Sequence, residues 1–262
     1  MAAGSKAPNP LDPRAPSQDQ WDQMTAEERE RVVAQLPSEV PRETEPEGDP
    51  HRDPKEKAVE TLREYYRKIG RRVYLSAELP VYYPAERMFA PDVIAGLDVE
   101  PHQRLRWVVS HEGRGIDFAL EVTLEGDRKK DLEDNVERYA RLGIAEYFVL
   151  DLKLRRLLGY RLTEARSYEP IIPQAGRWAS HVLGLDLASE DGRVRFYAGT
   201  APLPCADELI VRLDAMIGDL VTKEQALAQQ LEAMTAKAEQ EKTRADRLEA
   251  KLRELGVEPE GE

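Results

Sequence analysis

The sequence predicts a mixed α/β domain followed by a long oligomerising helix, on three observations. Through the middle of the 262-residue chain, short runs rich in Val, Ile, Tyr and Leu alternate with stretches of helical periodicity. From Ile210 to Leu255 apolar residues recur at heptad spacing. Charge divides the chain the same way: residues 1–54 hold 12 acidic and 6 basic side chains, residues 205–262 hold 14 and 8, and the stretch between is balanced.

Residues 1–20 are rich in Pro, Ala and polar side chains and bury too little to offset their ordering entropy, so a disordered tail is expected there. Residues 21–54 read as a short helix and a Pro/Glu-rich linker. In TAEERERVVAQL, Thr25 and Glu28 form a capping box, and Val32, Val33 and Leu36 give a small apolar stripe for docking, with Trp21 as the anchor. Pro37 to Pro54 shows no apolar periodicity and is assigned to the linker.

The domain itself is assigned to residues 55–204. KEKAVETLREYYRKIG sets Val59, Leu62, Tyr65, Tyr66 and Ile69 on one helical face, and Gly70 ends the helix. Strands are expected in VYLSAELPVYY, APDVIAG, RLRWVVS and IDFALEVT, the last two joined as a hairpin through HEGRG. Asp131 to Leu142 is the next helix, with Leu132, Val136, Tyr139 and Leu142 together. AEYFVLD and RLLGYRL follow as strands across a tight LKLR turn, and further strands run through Ile171, His181 to Leu187, and Val194 to Tyr197.

Residues 205–255 form the coiled coil, and residues 256–262 an acidic tail. Leu213, Leu220, Leu227, Met234, Leu248 and Leu255 share one heptad position, broken by Glu241. Ile210, Ile217, Leu231 and Leu252 stand three residues before members of that row, so the helix predicts a homo-oligomer.

Composition excludes several function classes. The net charge of −12 advertises no broad basic surface, though it does not exclude DNA. Cys205 is the only cysteine, which removes disulfide frameworks and zinc ribbons, and the four histidines show no metal-ligand spacing. No apolar run approaches the roughly 18 residues of a membrane span, and no signal-peptide core opens the chain, so a cytoplasmic protein without membrane contact is expected.

Two acids sit on strand-like apolar segments. Asp92 follows Pro91 at the start of DVIAG, and Glu121 lies inside FALEV. If those strands are neighbours, the two carboxylates converge on one divalent cation. Mg²⁺ takes one or two carboxylates and keeps several waters. Such an ion polarises a scissile phosphate and activates the attacking water. The same residues also read as a turn-forming Pro-Asp and a glutamate paired to an arginine.

The order Pro-Asp, strand acid, lysine resembles the PD-(D/E)XK nuclease pattern. A longer stretch, EVTLEGDRKKDLEDNVERYARLGIAEYFVLD from Glu121 to Asp151, resembles the Uma-two family of bacterial restriction-endonuclease-like proteins. VLGLDLASEDGRVRFYAGTAPLP resembles that family's closing strands, and WDQMTAEERERVVAQLP its N-terminal lead. The resemblance implies a restriction-endonuclease-like mixed sheet flanked by helices, a DNA substrate, Mg²⁺ (or Mn²⁺), and Asp92 and Glu121 as metal ligands. It also implies a lysine that is missing. The motif position after Glu121 holds Thr123, and the family's helix position holds Asn135, which carries no charge. Lys129 and Lys130 are the substitutes the resemblance leaves, with Arg128 as a further one. Two functions follow: a metal-dependent endonuclease, or an inactive nuclease fold that binds or scaffolds through its coiled coil. Tyr139 and Tyr147 are expected to pack the helix on the sheet, and Glu78 to border Asp92 or to lie on a sheet edge.

Overall fold

The computed structural model describes residues 12–39, 48–124 and 129–255, with only the backbone of Pro50. The described residues fall into two units, divided between Ala206 and Asp207.

The first unit opens with the helices α1 (Gln18–Asp22), α2 (Ala26–Gln35) and α3 (Asp49–Ile69). Then come the strands β1 (Val73–Ala77), β2 (Val81–Tyr82), β3 (Val93–Leu97) and β4 (Trp107–Val108), the short helix α4 (Val109–Glu112), and β5 (Phe118–Thr123). A π-helical turn, Lys130–Asp134, leads directly into α5 (Asn135–Leu142). The strands β6 (Glu146–Asp151), β7 (Arg156–Leu162) and β8 (Tyr168–Pro170) complete the main sheet. It has six strands in the order β1-β3-β5-β6-β7-β8, antiparallel except between β5 and β6. A second sheet joins β9 (Trp178–Ser180), β10 (Leu185–Glu190), β11 (Arg193–Ala198) and β12 (Ala201–Pro202).

Every residue of β5 and β6 is buried, as strands covered on both faces require. On one face, Val59, Leu62 and Tyr66 of α3 and Leu187 and Phe196 of the second sheet pack on Leu120, Val122 and Phe148. On the other, Tyr139 of α5 packs with Ile94, Ala119, Tyr147 and Val149. Full burial of one such apolar side chain contributes about 1.5–3 kcal/mol, so the central strands are the stable frame. Gly159 of β7 is required by this packing, because a Cβ there would lie 2.6 Å from the Phe148 ring.

The expected α/β class, with a mixed sheet and a long C-terminal helix, is present. Several local expectations are corrected. Helix α3 starts at Asp49, so residues 49–54 are helix where a linker was expected; Gly48 is the N-cap and Pro50 lies in the first turn, where its missing N–H costs nothing. Pro54 sits inside the helix and forgoes one hydrogen bond. RLRWVVS and IDFALEVT form no hairpin: β4 pairs in parallel with β2, while β5 pairs with β3 and β6. HEGRG includes the end of α4 and its Gly113 cap rather than a two-strand turn. His181 to Gly184 is a turn before β10, and Ile171 follows β8.

Residues 12–20 were expected in the disordered tail, but here they pack. Arg14 and Ala15 bridge to Arg87 and Pro84, and Ala15 is buried. The remainder of that tail, residues 1–11, lies outside the described residues, as do the linker stretch 40–47 and the acidic tail 256–262. Trp21 is buried, and the Thr25–Glu28 capping box forms as expected.

The second unit, from Asp207 on, is built by α6 (Ala206–Glu254), an unbroken helix of 49 residues. No helix among the described residues is long and apolar enough to cross a membrane.

Candidate active site

The site forms where β3 and β5 run side by side. Their register pairs Val93 with Leu120, and its next step sets Asp92 across from Glu121. The backbone N–H of Asp92 donates to Glu121 Oε2 at 3.0 Å, and the N–H of Val122 donates to Asp92 Oδ2 at 2.7 Å. Directly opposed residues on neighbouring strands have Cβ atoms about 4.5–5.5 Å apart, so the two expected carboxylates are brought together.

Helices fix each acid from opposite faces of the sheet. From α5, the Tyr139 hydroxyl donates to Glu121 Oε1 at 2.8 Å, and Asn135 Nδ2 approaches the same oxygen at 3.4 Å. Asn135 Nδ2 also donates to Asp131 Oδ1 at 3.1 Å. Asp131, Asn135 and Tyr139 are spaced four apart, so the π-turn and α5 present all three to Glu121. Tyr147 donates to the Asp131 carbonyl at 2.8 Å and secures that turn. The tyrosines therefore pack as expected, and Tyr139 also holds the site glutamate.

From α3, His51 and Lys55 stand one turn apart. Lys55 Nζ lies 3.2 Å from Asp92 Oδ1 and 2.7 Å from Glu78 Oε1. His51 Nε2 lies 3.4 Å from Asp92 Oδ2 and contacts the Val122 carbonyl oxygen. Glu78 occupies a left-handed backbone position (φ 51°) and its N–H donates to the Asp92 carbonyl at 3.2 Å, which ties its turn to the site. Sequence reasoning missed both α3 residues. Their four-residue spacing was the available signal, obscured by the prolines around it.

The electrostatics are asymmetric. Burial pushes the Glu121 carboxyl well above the usual carboxylate range; the charges of Asp92 and Asp131 push it further, against opposition from Lys130 and the Tyr139 hydroxyl. Burial acts the same way on Asp92, but it is outweighed by the His51 hydrogen bond, the charges of Lys55 and His51 and the Val122 N–H, so its pKa is lowered. Burial would lower the Lys55 pKa, yet Asp92 and Glu78 raise it. The ammonium therefore stays charged although its side chain is only 4% exposed.

Of the expected replacement lysines, Lys130 is exposed and its charge acts on Glu121. Lys129 is exposed, and Arg128 lies outside the described residues. Among the described residues no trio of His, Cys, Asp or Glu is grouped to enclose a metal ion. Asp92 and Glu121, set side by side by the strand register, offer the one or two carboxylates that a hard ion keeping its waters would need.

A family model named Uma2 and described as "Putative restriction endonuclease" matches residues 19–190. No curated protein matches the chain. A crystal structure at 1.96 Å from Anabaena variabilis ATCC 29413, described as a "putative nuclease belonging to DUF820", is similar at 14% identity and a TM-score of 0.46. That similarity covers 59% of this chain and 85% of the other.

Proposed function

Because the chain belongs to the Uma2 family of restriction-endonuclease-like proteins, we propose that its first unit hydrolyses phosphodiester bonds in DNA with Mg²⁺ or Mn²⁺ held by Asp92 and Glu121. The observation that carries this reading is the cross-strand pair of carboxylates, with Glu121 buried beside the like charges of Asp92 and Asp131. Structural acids in a core are normally neutralised by a dedicated partner, and strongly perturbed ones concentrate at functional sites.

When bound, the ion supplies a Lewis acid for the phosphate and lowers the pKa of the attacking water. The chain's own groups do the rest. Tyr139 and Asn135 orient Glu121, while the Val122 N–H and Lys55 fix Asp92. Lys130, exposed and with its charge acting on Glu121, is the lysine assigned to a DNA phosphate in this reading, and Lys129 is the second candidate of the pair. A DNA substrate fits work in the bacterial cytoplasm. The exposed heptad stripe of α6 supports self-association as a coiled coil.

A second reading has its own observation. Each oxygen of Asp92 and Glu121 already accepts a donor from the chain, so the pair also works as a closed structural network. In that case the protein is an inactive nuclease fold that binds or scaffolds through α6. Nicking of supercoiled plasmid separates the two. The enzyme reading expects Mg²⁺- or Mn²⁺-dependent nicking that Asp92→Ala and Glu121→Ala each abolish, a loss of about 100-fold or more. Nicking that survives both substitutions overturns the assigned site, and no nicking by the wild type favours the scaffold.

A further inference from the structure

We infer that Lys55, on helix α3, supplies the positive charge that Thr123 and Asn135 leave missing from the carboxylate pair. The inference rests on the metal-site reading above and deepens it.

Thr123 and Asn135 are both buried at the site, and neither carries charge. Asn135 is instead spent as a donor between Glu121 and Asp131. Lys130 is exposed, and its charge acts on Glu121. Lys55 puts an ammonium in contact with a site carboxylate, 3.2 Å from Asp92 Oδ1. Glu78 grips the same ammonium at 2.7 Å, which limits the rotamers of a long, flexible side chain. Burying an ammonium is costly unless it is paired and hydrogen-bonded, and here two carboxylates meet that condition. The i,i+4 spacing puts His51 on the same helix face, so one helix end addresses both oxygens of Asp92.

Because it is buried, Lys55 acts through Asp92 and is a positioning residue. It fixes the rotation of the carboxylate and offsets part of its charge, which sets how strongly Asp92 draws a divalent ion. Lys130 and Lys55 thereby divide the work of one motif lysine: an exposed cation for DNA and a buried cation for the carboxylate.

The test uses the full-length chain. With plasmid nicking as readout, Lys55→Met is expected to lower kcat about 100-fold while leaving KM for DNA within about twofold, because the residue does not face the substrate. Lys130→Met is expected to raise KM instead. Calorimetric titration with Mn²⁺ alone is expected to show Lys55→Met binding about tenfold tighter than wild type, because a competing cation at Asp92 is gone. Lys55→Arg keeps the charge and is expected to recover most of kcat and the wild-type Mn²⁺ affinity. Unchanged kcat in Lys55→Met, unchanged Mn²⁺ affinity, or Lys55→Arg behaving like Lys55→Met would each overturn the inference. If Lys55→Met does not fold, Lys55→Gln, which keeps a donor to Asp92 without the charge, is judged by the same criteria. A wild type that nicks no DNA overturns the reaction reading, and the Mn²⁺ titrations still decide the role of Lys55.

Discussion

Glu121 shows what the site costs the fold. Its carboxylate is buried between Asp92 and Asp131 and is pushed toward its neutral form. A neutral side chain of equal size at this position removes the repulsion from Asp92 and Asp131 as well as the cost of burying a charge. Glu121→Gln is therefore expected to leave the metal-free protein at least as stable as wild type, with a gain of up to about 1 kcal/mol in denaturant melts. Saturating Mn²⁺ should reverse the order, since ligand at about 100 times Kd stabilises by about 2.7 kcal/mol and the variant has lost a ligand. A metal-free Glu121→Gln protein that melts well below wild type would show the carboxylate to be structural. At this scale the sequence was partly legible. Asp92 and Glu121 stood out because acids on apolar strands are conspicuous. His51 and Lys55 did not, because their four-residue spacing says nothing of a partner, and the ion pair between Lys55 and Asp92, 37 residues apart, follows from how α3 lands on the sheet.

The helices decide whether the acids hold their geometry, and α5 is clamped for that task. Glu86, in the segment between β2 and β3, bridges Arg138 at 3.2 Å and Arg141 at 2.8 Å, while Arg138 stacks 4.4 Å above the Phe89 ring. Burial opposes ionisation of Glu86, but the hydrogen bond from Arg141 and both arginine charges prevail and lower its pKa. A lowered folded-state pKa means stability that is present above the unfolded pKa and lost as pH falls through the folded one. Glu86→Gln is thus expected to cost about 0.5–1 kcal/mol at neutral pH. The gap to wild type should narrow below the ordinary carboxylate range and close once Glu86 is protonated. Denaturation curves at neutral and acid pH check this, and a gap that stays constant with pH would assign the loss to packing. Element identity was legible where periodicity was long, as in α3 and α6, and where caps were explicit, as at Thr25. It failed at β4 and β5. Both runs are apolar enough for any buried strand, and the choice between a hairpin and two separate sheets depends on which partner strands arrive.

At the scale of the whole chain, α6 has more apolar surface than a solitary helix can leave in water. Ile210, Leu213, Ile217, Leu220, Leu227, Leu231 and Met234 are each 56–69% exposed along one stripe. Helical stability in proteins comes mainly from packing such a face, so a helix of 49 residues, about 74 Å long, calls for a partner along its length. Ile at one core position with Leu at the other favours two parallel strands, and the heptads Ile210–Leu213 and Ile217–Leu220 follow that rule. Two identical chains satisfy it with no other protein. The heptad row was readable because one-dimensional periodicity survives without tertiary context, whereas what it pairs with is a property of the assembly. Leu220→Lys combined with Leu227→Lys places like charges in the seam of a parallel pair. Wild type is expected to sediment as a dimer at micromolar concentration and the double variant as a monomer with reduced helical circular dichroism. A parallel pair would also join two copies of the first unit through one coiled coil. On the endonuclease reading, the double variant should keep its plasmid-nicking rate and lose most double-strand breaks. A wild type that sediments as a monomer, or a double variant that still dimerises, would assign the stripe another role.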